Sequence, residues 1–143
     1  MDYSWIIFAL LSAITAALVA VFGKIGLTGI DTNTATTIRA IIMALFLIGL
    51  IAIQGKLGNI KPIIANHKAL FYIILSGLAG ALSWLFYFVA LRKATVHQIV
   101  PLDRLSIVFA LLLAFFILGE KISPKAGIGA ALVVIGGILI ALG

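Results

Sequence analysis

The segment SWIIFALLSAITAALVAVF, from Ser4 to Phe22, contains no charged side chain. A helix of about 20 mostly apolar residues crosses the roughly 30 Å hydrocarbon core of a bilayer. Four later segments have the same character, and their apolar runs are continuous rather than alternating, which excludes the strands of a membrane barrel. The sequence therefore predicts five transmembrane helices, at about residues 4–22, 36–53, 69–91, 99–118 and 126–142.

The composition supports an integral membrane protein. Of the 143 residues, 64% are hydrophobic and 10% are charged, whereas soluble domains have about 25% charged residues. We predict an all-α, multi-pass protein of the cell membrane, with a single domain over residues 1–143. The chain has no cysteine and only two histidines, His67 and His97. Its sequence has no catalytic constellation and no nucleotide-binding loop, so we predict no enzyme activity, no cofactor and no metal site.

The basic residues predict little preference for one orientation in the membrane. Five is an odd number of spans, so the termini are expected on opposite sides. The net charge of +6 is attributed to loops that face anionic headgroups rather than to nucleic acid. The two faces have similar sets of basic residues: Lys56, Lys61, Lys68, Lys121 and Lys125 on one, and Lys24, Arg39, Arg92, Lys93 and Arg104 on the other. Because this bias is weak, we expect insertion in both orientations.

Ionisable residues inside a span are energetically costly and mark candidate functional sites. Arg39 lies 14 residues before the predicted end of span two, and Asp103 lies 15 residues before the predicted end of span four. At about 1.5 Å per residue, both lie about 8–9 Å below the same face of the membrane. We predict an ion pair between Arg39 and Asp103, with Lys24 and Arg104 in the same charged layer.

Other interpretations of these residues stay open from the sequence. Long basic side chains can extend to the headgroups, which would apply to Lys24, Arg39 and Arg104. Alternatively, Pro101 would start a helix, so that Asp103 complements the positive end of the helix dipole.

Small and polar residues recur at helical spacing in three spans. In span three two aromatic rings accompany them, and this stripe is predicted to line a substrate cavity. Its members are Ser76, Gly80, Ser83, Trp84 and Tyr87. Ser12 and Thr15 form a similar face in span one. Helix packing and anchoring of the rings at the interface are the alternatives. Span five has the glycines of a packing or dimer helix: Gly127, Gly129, Gly136 and Gly137.

Several motifs follow one another in a recognisable order. They are Gly23-Lys24-Ile25-Gly26-Leu27, Ile38-Arg39-Ala40, Ala90-Leu91-Arg92-Lys93-Ala94, Val100-Pro101-Leu102-Asp103-Arg104-Leu105-Ser106, Leu118-Gly119-Glu120-Lys121 and the glycine-rich run from Gly127 to Gly137. Together they resemble one repeat of the EamA domain, which belongs to the drug/metabolite transporter superfamily. Members of this family typically have ten spans in two five-span repeats of opposite orientation, and this chain looks like a single repeat.

The resemblance implies a secondary transporter of a small organic solute. It would work by alternating access between inverted repeats, here as an antiparallel homodimer in the lipid bilayer. A heterodimer with an inverted homologue and a non-transporting membrane assembly subunit stay open as alternatives. The four-span exporters of the superfamily have a glutamate in their first span, which this chain lacks. Asp103 is therefore the remaining candidate for proton coupling.

Overall fold

The chain is almost entirely helical over residues 3–143, which the computed structural model describes. The α-helices of this part are α1 (Ser4–Gly26), α2 (Thr32–Ile53), α3 (Ile60–Ala65), α4 (His67–Lys93), α5 (Val96–Asp103), α6 (Ser106–Leu113) and α7 (Pro124–Leu142). Five segments are long and apolar enough to cross a membrane, namely α1, α2, α4, Val96–Leu118 and α7. The five predicted spans and the all-α class are confirmed, and the sidedness of the termini stays a prediction.

The helices extend two to four residues beyond the predicted spans at one or both ends. At the starts of α2 and α7, polar side chains satisfy backbone groups that lack partners within the helix. The carboxylate of Asp31 accepts hydrogen bonds from the backbone N–H and the hydroxyl of Thr34, at 2.8 and 2.9 Å, and so caps α2. Ser123 caps α7 with Pro124 in the first turn, as predicted. At the other end of α1, the extension places Lys24 in the last helical turn rather than beyond the helix.

The fourth span is discontinuous, which the sequence did not predict. Its first helix, α5, begins after Thr95, which forms a capping box with Gln98. Pro101 lies inside α5, so the expectation that Pro101 starts the helix is wrong. Asp103 is consequently the last residue of α5, far from the positive end of its dipole. Tight turns follow, in which the N–H of Arg104 donates to the carbonyl of Pro101 at 3.2 Å.

The end of the fourth span is a π-helical turn, Ala114–Leu118. The N–H groups of Gly119 and Glu120 both reach the carbonyl of Ala114. Gly119 has a φ of 68°, a left-handed conformation that glycine adopts without the steric cost of a Cβ atom. This residue therefore ends the span.

The described chain divides into two compact units. The first contains residues 3–25 and 90–143, where α5 packs against α7. At this contact the α-carbon of Gly137 faces Pro101 so closely that a Cβ atom would lie 3.0 Å from the proline carbonyl oxygen. Ala20 and Leu91 are buried in the same unit.

The second unit, Gly26–Val89, contains α2, a 3-10 turn at Leu57–Asn59, α3 and most of α4. Phe88 is 3% exposed, and Thr32 and Thr36 are also buried. The hydroxyl of Thr36 donates to the carbonyl of Thr32 at 2.7 Å, which satisfies this polar group inside its own helix. The single domain expected from the sequence stays a prediction.

Few apolar side chains are buried against other parts of the chain. Among the described residues, the buried apolar ones are Ala20, Leu27, Phe88 and Leu91. No more than 6% of any spanning segment's apolar window is buried. Such apolar surface is stable in hydrocarbon, where exposure of leucine or isoleucine carries no penalty.

Candidate functional site

The guanidinium group of Arg39 lies on the ring of Trp84. Its central carbon is 3.0 Å from the Trp84 ring centroid and 4.9 Å from that of Phe88. The two rings are one helical turn apart on α4, with centroids 6.0 Å apart, so they form one aromatic platform. The Tyr87 ring meets Phe88 edge to face at 5.6 Å. A cation over an aromatic face is stabilised by the ring quadrupole, most strongly over tryptophan.

The hydrogen-bonding capacity of this guanidinium is mostly unused. Nη2 lies 3.9 Å from the sulfur of Met43, one turn along α2, and thioether sulfur is a weak acceptor. Nη1 is buried and makes no hydrogen bond to any residue that the structure describes. The aromatic platform therefore covers a face of the cation, while the N–H groups at its edge lack a strong acceptor.

The contact lies well inside the helices that form it. Arg39 follows the start of α2 at Thr32 by seven residues, and Trp84 precedes the end of α4 at Lys93 by nine. At about 1.5 Å per residue these distances are about 10 and 13 Å. The guanidinium thus contacts a ring that lies about two helical turns from the nearer helix ends. Its predicted role in a substrate cavity stays a prediction.

Asp103 and Arg104 occupy the break in the fourth span. Both side chains are exposed. Arg39 belongs to the unit Gly26–Val89 and Asp103 to the other unit, so the predicted ion pair between them stays a prediction. Among the described residues, no group of three histidine, aspartate or glutamate side chains is placed to hold a metal ion.

Lys24 holds the end of another helix. Its ammonium group donates to the carbonyl oxygens of Leu91 and Ala94, at 2.6 and 2.7 Å. These carbonyls lie at the C-terminal end of α4, where backbone oxygens lack partners within the helix and the helix dipole favours a positive charge. Two of the three donors of the ammonium group are therefore engaged by backbone, and this geometry supports a structural contact between the ends of α1 and α4.

The small and polar residues differ in their surroundings. In α4, Gly80, Trp84 and Tyr87 are half-buried, whereas Ser76 and Ser83 are exposed. In α1, Ser12 is exposed, and the hydroxyl of Thr15 donates to carbonyls of its own helix, at 2.9 and 3.0 Å. Of the four predicted glycines in α7, Gly137 is the one at which a Cβ atom would contact another helix. At Gly127, Gly129 and Gly136 a Cβ atom would meet nothing within 4 Å.

Nearly the whole chain matches known transporters. Residues 3–142 match the EamA-like transporter family. The chain belongs to this family. It is also similar to a Sinorhizobium sp protein named as an uncharacterized transporter in the cobO 3' region, with 37% identity over 142 residues, which are 99% of each chain. That relative therefore also has the length of one five-span repeat. No solved structure matches this EamA-like protein.

Family membership confirms the predicted resemblance and establishes a multi-pass membrane transporter.

The first unit of this EamA-like chain also contains an open apolar groove of about 460 Å³. Residues of α1, α5 and α7 line it, including Ala17, Ala20, His97, Val100, Pro101 and Ile140. None of the predicted cavity residues contributes to this groove.

The sequence had not indicated two residues of the Arg39 site. Phe88 continues the row Ser76, Gly80 and Trp84 at a spacing of four, and this spacing could have identified it. Met43 lies four residues after Arg39, which places it on the same face of α2. The backbone partners of Lys24 left no such signal, because carbonyl groups are present at every residue.

Proposed function

We propose that this EamA-like protein is a secondary transporter of a small organic solute, and that it works by alternating access as an antiparallel homodimer. The observation that carries the proposal is the Arg39 site, in which a cation with unused donors lies deep within a transmembrane segment. Transporter substrate sites lie near the middle of the bilayer, and intramembrane charges there belong to substrate or ion pathways.

The length of one repeat supports the homodimer. Alternating access in such proteins relies on two inverted repeats that rock around one site. The chain and its Sinorhizobium relative both have the length of a single five-span repeat. An antiparallel second copy supplies the inverted repeat, and the similar numbers of basic residues on the two faces favour insertion of both orientations.

Helix α7 supports the contact between copies. Gly127 and Ala131 lie four residues apart on one exposed face of α7, and Gly127 has open space where a Cβ atom would lie. Small residues allow the backbones of membrane helices to approach closely. We therefore expect α7 of one copy to cross α7 of the other.

Cysteine cross-linking tests this arrangement, because the natural chain has no cysteine. The middle of α7 lies near Val133, so an antiparallel crossing brings residue 127 of one copy close to residue 138 of the other. Gly127→Cys and Ile138→Cys chains, expressed together with different tags, are expected to form a mixed disulfide dimer. Gly127→Cys alone is expected to remain uncross-linked. Efficient cross-linking of Gly127→Cys to itself would indicate a parallel dimer and refute the proposal.

Topology and flux provide two further tests. A C-terminal reporter that is active on one side only should label part of the molecules, and the complementary reporter should label the rest. A single orientation in all molecules would exclude the homodimer and favour an inverted heterodimer. Solute flux is measured in proteoliposomes, and absence of flux for every solute class would favour an accessory subunit.

A further inference from the structure

We infer that the solute is an organic anion whose carboxylate binds the edge of the Arg39 guanidinium, next to the aromatic platform of Trp84 and Phe88. This inference rests on the proposed transport function and names the chemical class of its substrate. It starts from the state of the cation. A face of the guanidinium is covered at 3.0 Å by Trp84, while Nη1 is buried without a hydrogen-bond partner among the described residues.

The geometry favours a planar oxyanion over other ligands. Stacking leaves the in-plane N–H groups of the guanidinium pointing away from the rings. Two parallel N–H groups match the two oxygens of a carboxylate, and such bidentate pairs are the strongest hydrogen bonds that arginine makes. A neutral amide has only one acceptor oxygen. A protonated amine has no acceptor, and its positive charge repels the guanidinium.

The unit that contains Arg39 has few carboxylates that could bind its guanidinium in place of a solute. Asp31 is the only acidic residue in the segment Gly26–Val89. Its carboxylate already accepts two hydrogen bonds from Thr34 at the start of α2. The guanidinium is surrounded by the rings of Trp84 and Phe88, the Met43 thioether and the Tyr87 side chain, which interacts with it electrostatically. These mostly aromatic neighbours favour a solute that combines a carboxylate with an apolar or aromatic body.

The depth of the site favours a solute over a lipid headgroup. Trp84 lies nine residues before the end of α4, about 13 Å along the helix. Helical side chains lean toward the N-terminus, which places the Trp84 ring deeper still. Phosphate groups of lipids lie outside the hydrocarbon core, so the headgroup does not reach this ring without leaving the interface.

Tryptophan fluorescence gives a direct measurement of binding. The chain has two tryptophans, Trp5 and Trp84. A Trp5→Phe variant therefore leaves Trp84, the residue that touches the guanidinium, as the sole emitter. Purified Trp5→Phe protein in neutral detergent is titrated with 3-phenylpropionate, with its neutral amide and with 3-phenylpropylamine. We expect a saturable change with the carboxylate and affinity weaker by at least about ten-fold for the amide and the amine.

Substitutions in the same background assign the binding to Arg39. Arg39→Gln is expected to abolish the response to 3-phenylpropionate, and Arg39→Lys is expected to retain a weaker one because lysine keeps the charge but not the fork. Arg92→Gln, an equal change of charge at the exposed end of α4, is expected to leave the affinity unchanged. Equal affinity for all three ligands would overturn the inference, and this comparison requires no variant at Arg39.

Lipid and intramolecular partners are tested separately. In nanodiscs at high ionic strength, which screens the surface charge of phosphatidylglycerol, 3-phenylpropionate should bind equally well with phosphatidylcholine and with phosphatidylglycerol. A Trp84 response to phosphatidylglycerol alone, without one to the carboxylate, would overturn the inference in favour of a lipid site. Carboxylate binding that requires Asp103→Asn would overturn it in favour of the ion pair.

Failure of the inference and failure of the transport proposal give different results. Carboxylate binding in detergent without flux in proteoliposomes would retain the anion site and refute transport. Flux of neutral or cationic solutes, without carboxylate binding, would retain transport and refute the anion site.

Discussion

Substitution of Gly137 by alanine is expected to destabilise the contact between α5 and α7. The new Cβ atom would lie 3.0 Å from the carbonyl oxygen of Pro101 and 3.5 Å from its carbonyl carbon. Backbone atoms cannot rotate away as the end of a flexible side chain can. The Pro101 carbonyl is also held by the N–H of Arg104 at 3.2 Å. Relief of the close contact therefore requires a shift of α5 relative to α7.

The size of the effect follows from two opposing contributions. Addition of a methyl group to a closely packed contact costs about 1–3 kcal/mol. Replacement of glycine by alanine inside a helix contributes up to about 1 kcal/mol of stabilisation. Gly136→Ala provides the matched control, because it lies in the same helix and a Cβ atom there meets nothing within 4 Å. We expect Gly137→Ala to be less stable than Gly136→Ala by about 1–3 kcal/mol.

The measurement is the free energy of unfolding in mixed micelles, with SDS as denaturant and far-UV circular dichroism as readout. Both variants are compared with the natural chain at the same detergent composition. Equal stability of the two alanine variants, or greater stability of Gly137→Ala, would refute the close packing of Gly137 on Pro101.

Three further substitutions test other contacts by the same unfolding measurement. Lys24→Met removes two charged hydrogen bonds to backbone carbonyls and should lower the free energy of unfolding by about 2–3 kcal/mol. Lys56→Met, in an exposed loop, should lower it by less than about 0.5 kcal/mol. Equal losses would show that the Lys24 contact is not stabilising. Trp84→Leu should lower the free energy of unfolding by about 2 kcal/mol through loss of the Arg39 contact. Trp5 is 65% exposed, so Trp5→Leu should lower it by less than about 0.5 kcal/mol. Unchanged stability of Trp84→Leu would contradict the contact with Arg39. Gly119→Ala should cost about 1–2 kcal/mol, because its φ is 68°, and an unchanged stability would argue against the left-handed end of the span.

The number and type of the helices could be predicted because length and hydropathy alone determine whether a segment crosses a bilayer. The start of α7 was also predictable, since Ser123 and Pro124 act locally. The start of span four was predicted at about residue 99, three residues after the observed start at Val96, and the alternative in which Pro101 starts a helix was wrong. The capping box formed by Thr95 and Gln98 is the stronger local signal, and it lies six residues earlier than Pro101.

The candidate site could be predicted only in part. Arg39 and Trp84 each stood out, because an ionisable residue and a large ring are unusual inside a span. The contact between Arg39 and Trp84 could not be predicted from the sequence, because spans that are apolar on all sides show no preferred buried face. The Lys24 contact depended on which helix ends meet, and no pattern within a single helix encodes this. Chemistry within one segment was thus accessible from sequence, and the rotation of one segment against another was not.

The scarcity of buried apolar side chains has a consequence for how such sequences diverge. Leu27 and Phe88 are exceptions in a chain whose large apolar residues are mostly exposed. At exposed positions, lipid selects for hydropathy and leaves the shape of the side chain nearly free. Homologues can therefore exchange leucine, isoleucine, valine and phenylalanine there at little cost, which accords with 37% identity to a relative of equal length. We expect Lys24, Arg39, Trp84 and Gly137 to drift more slowly than the apolar residues around them, because each is tied to one specific contact.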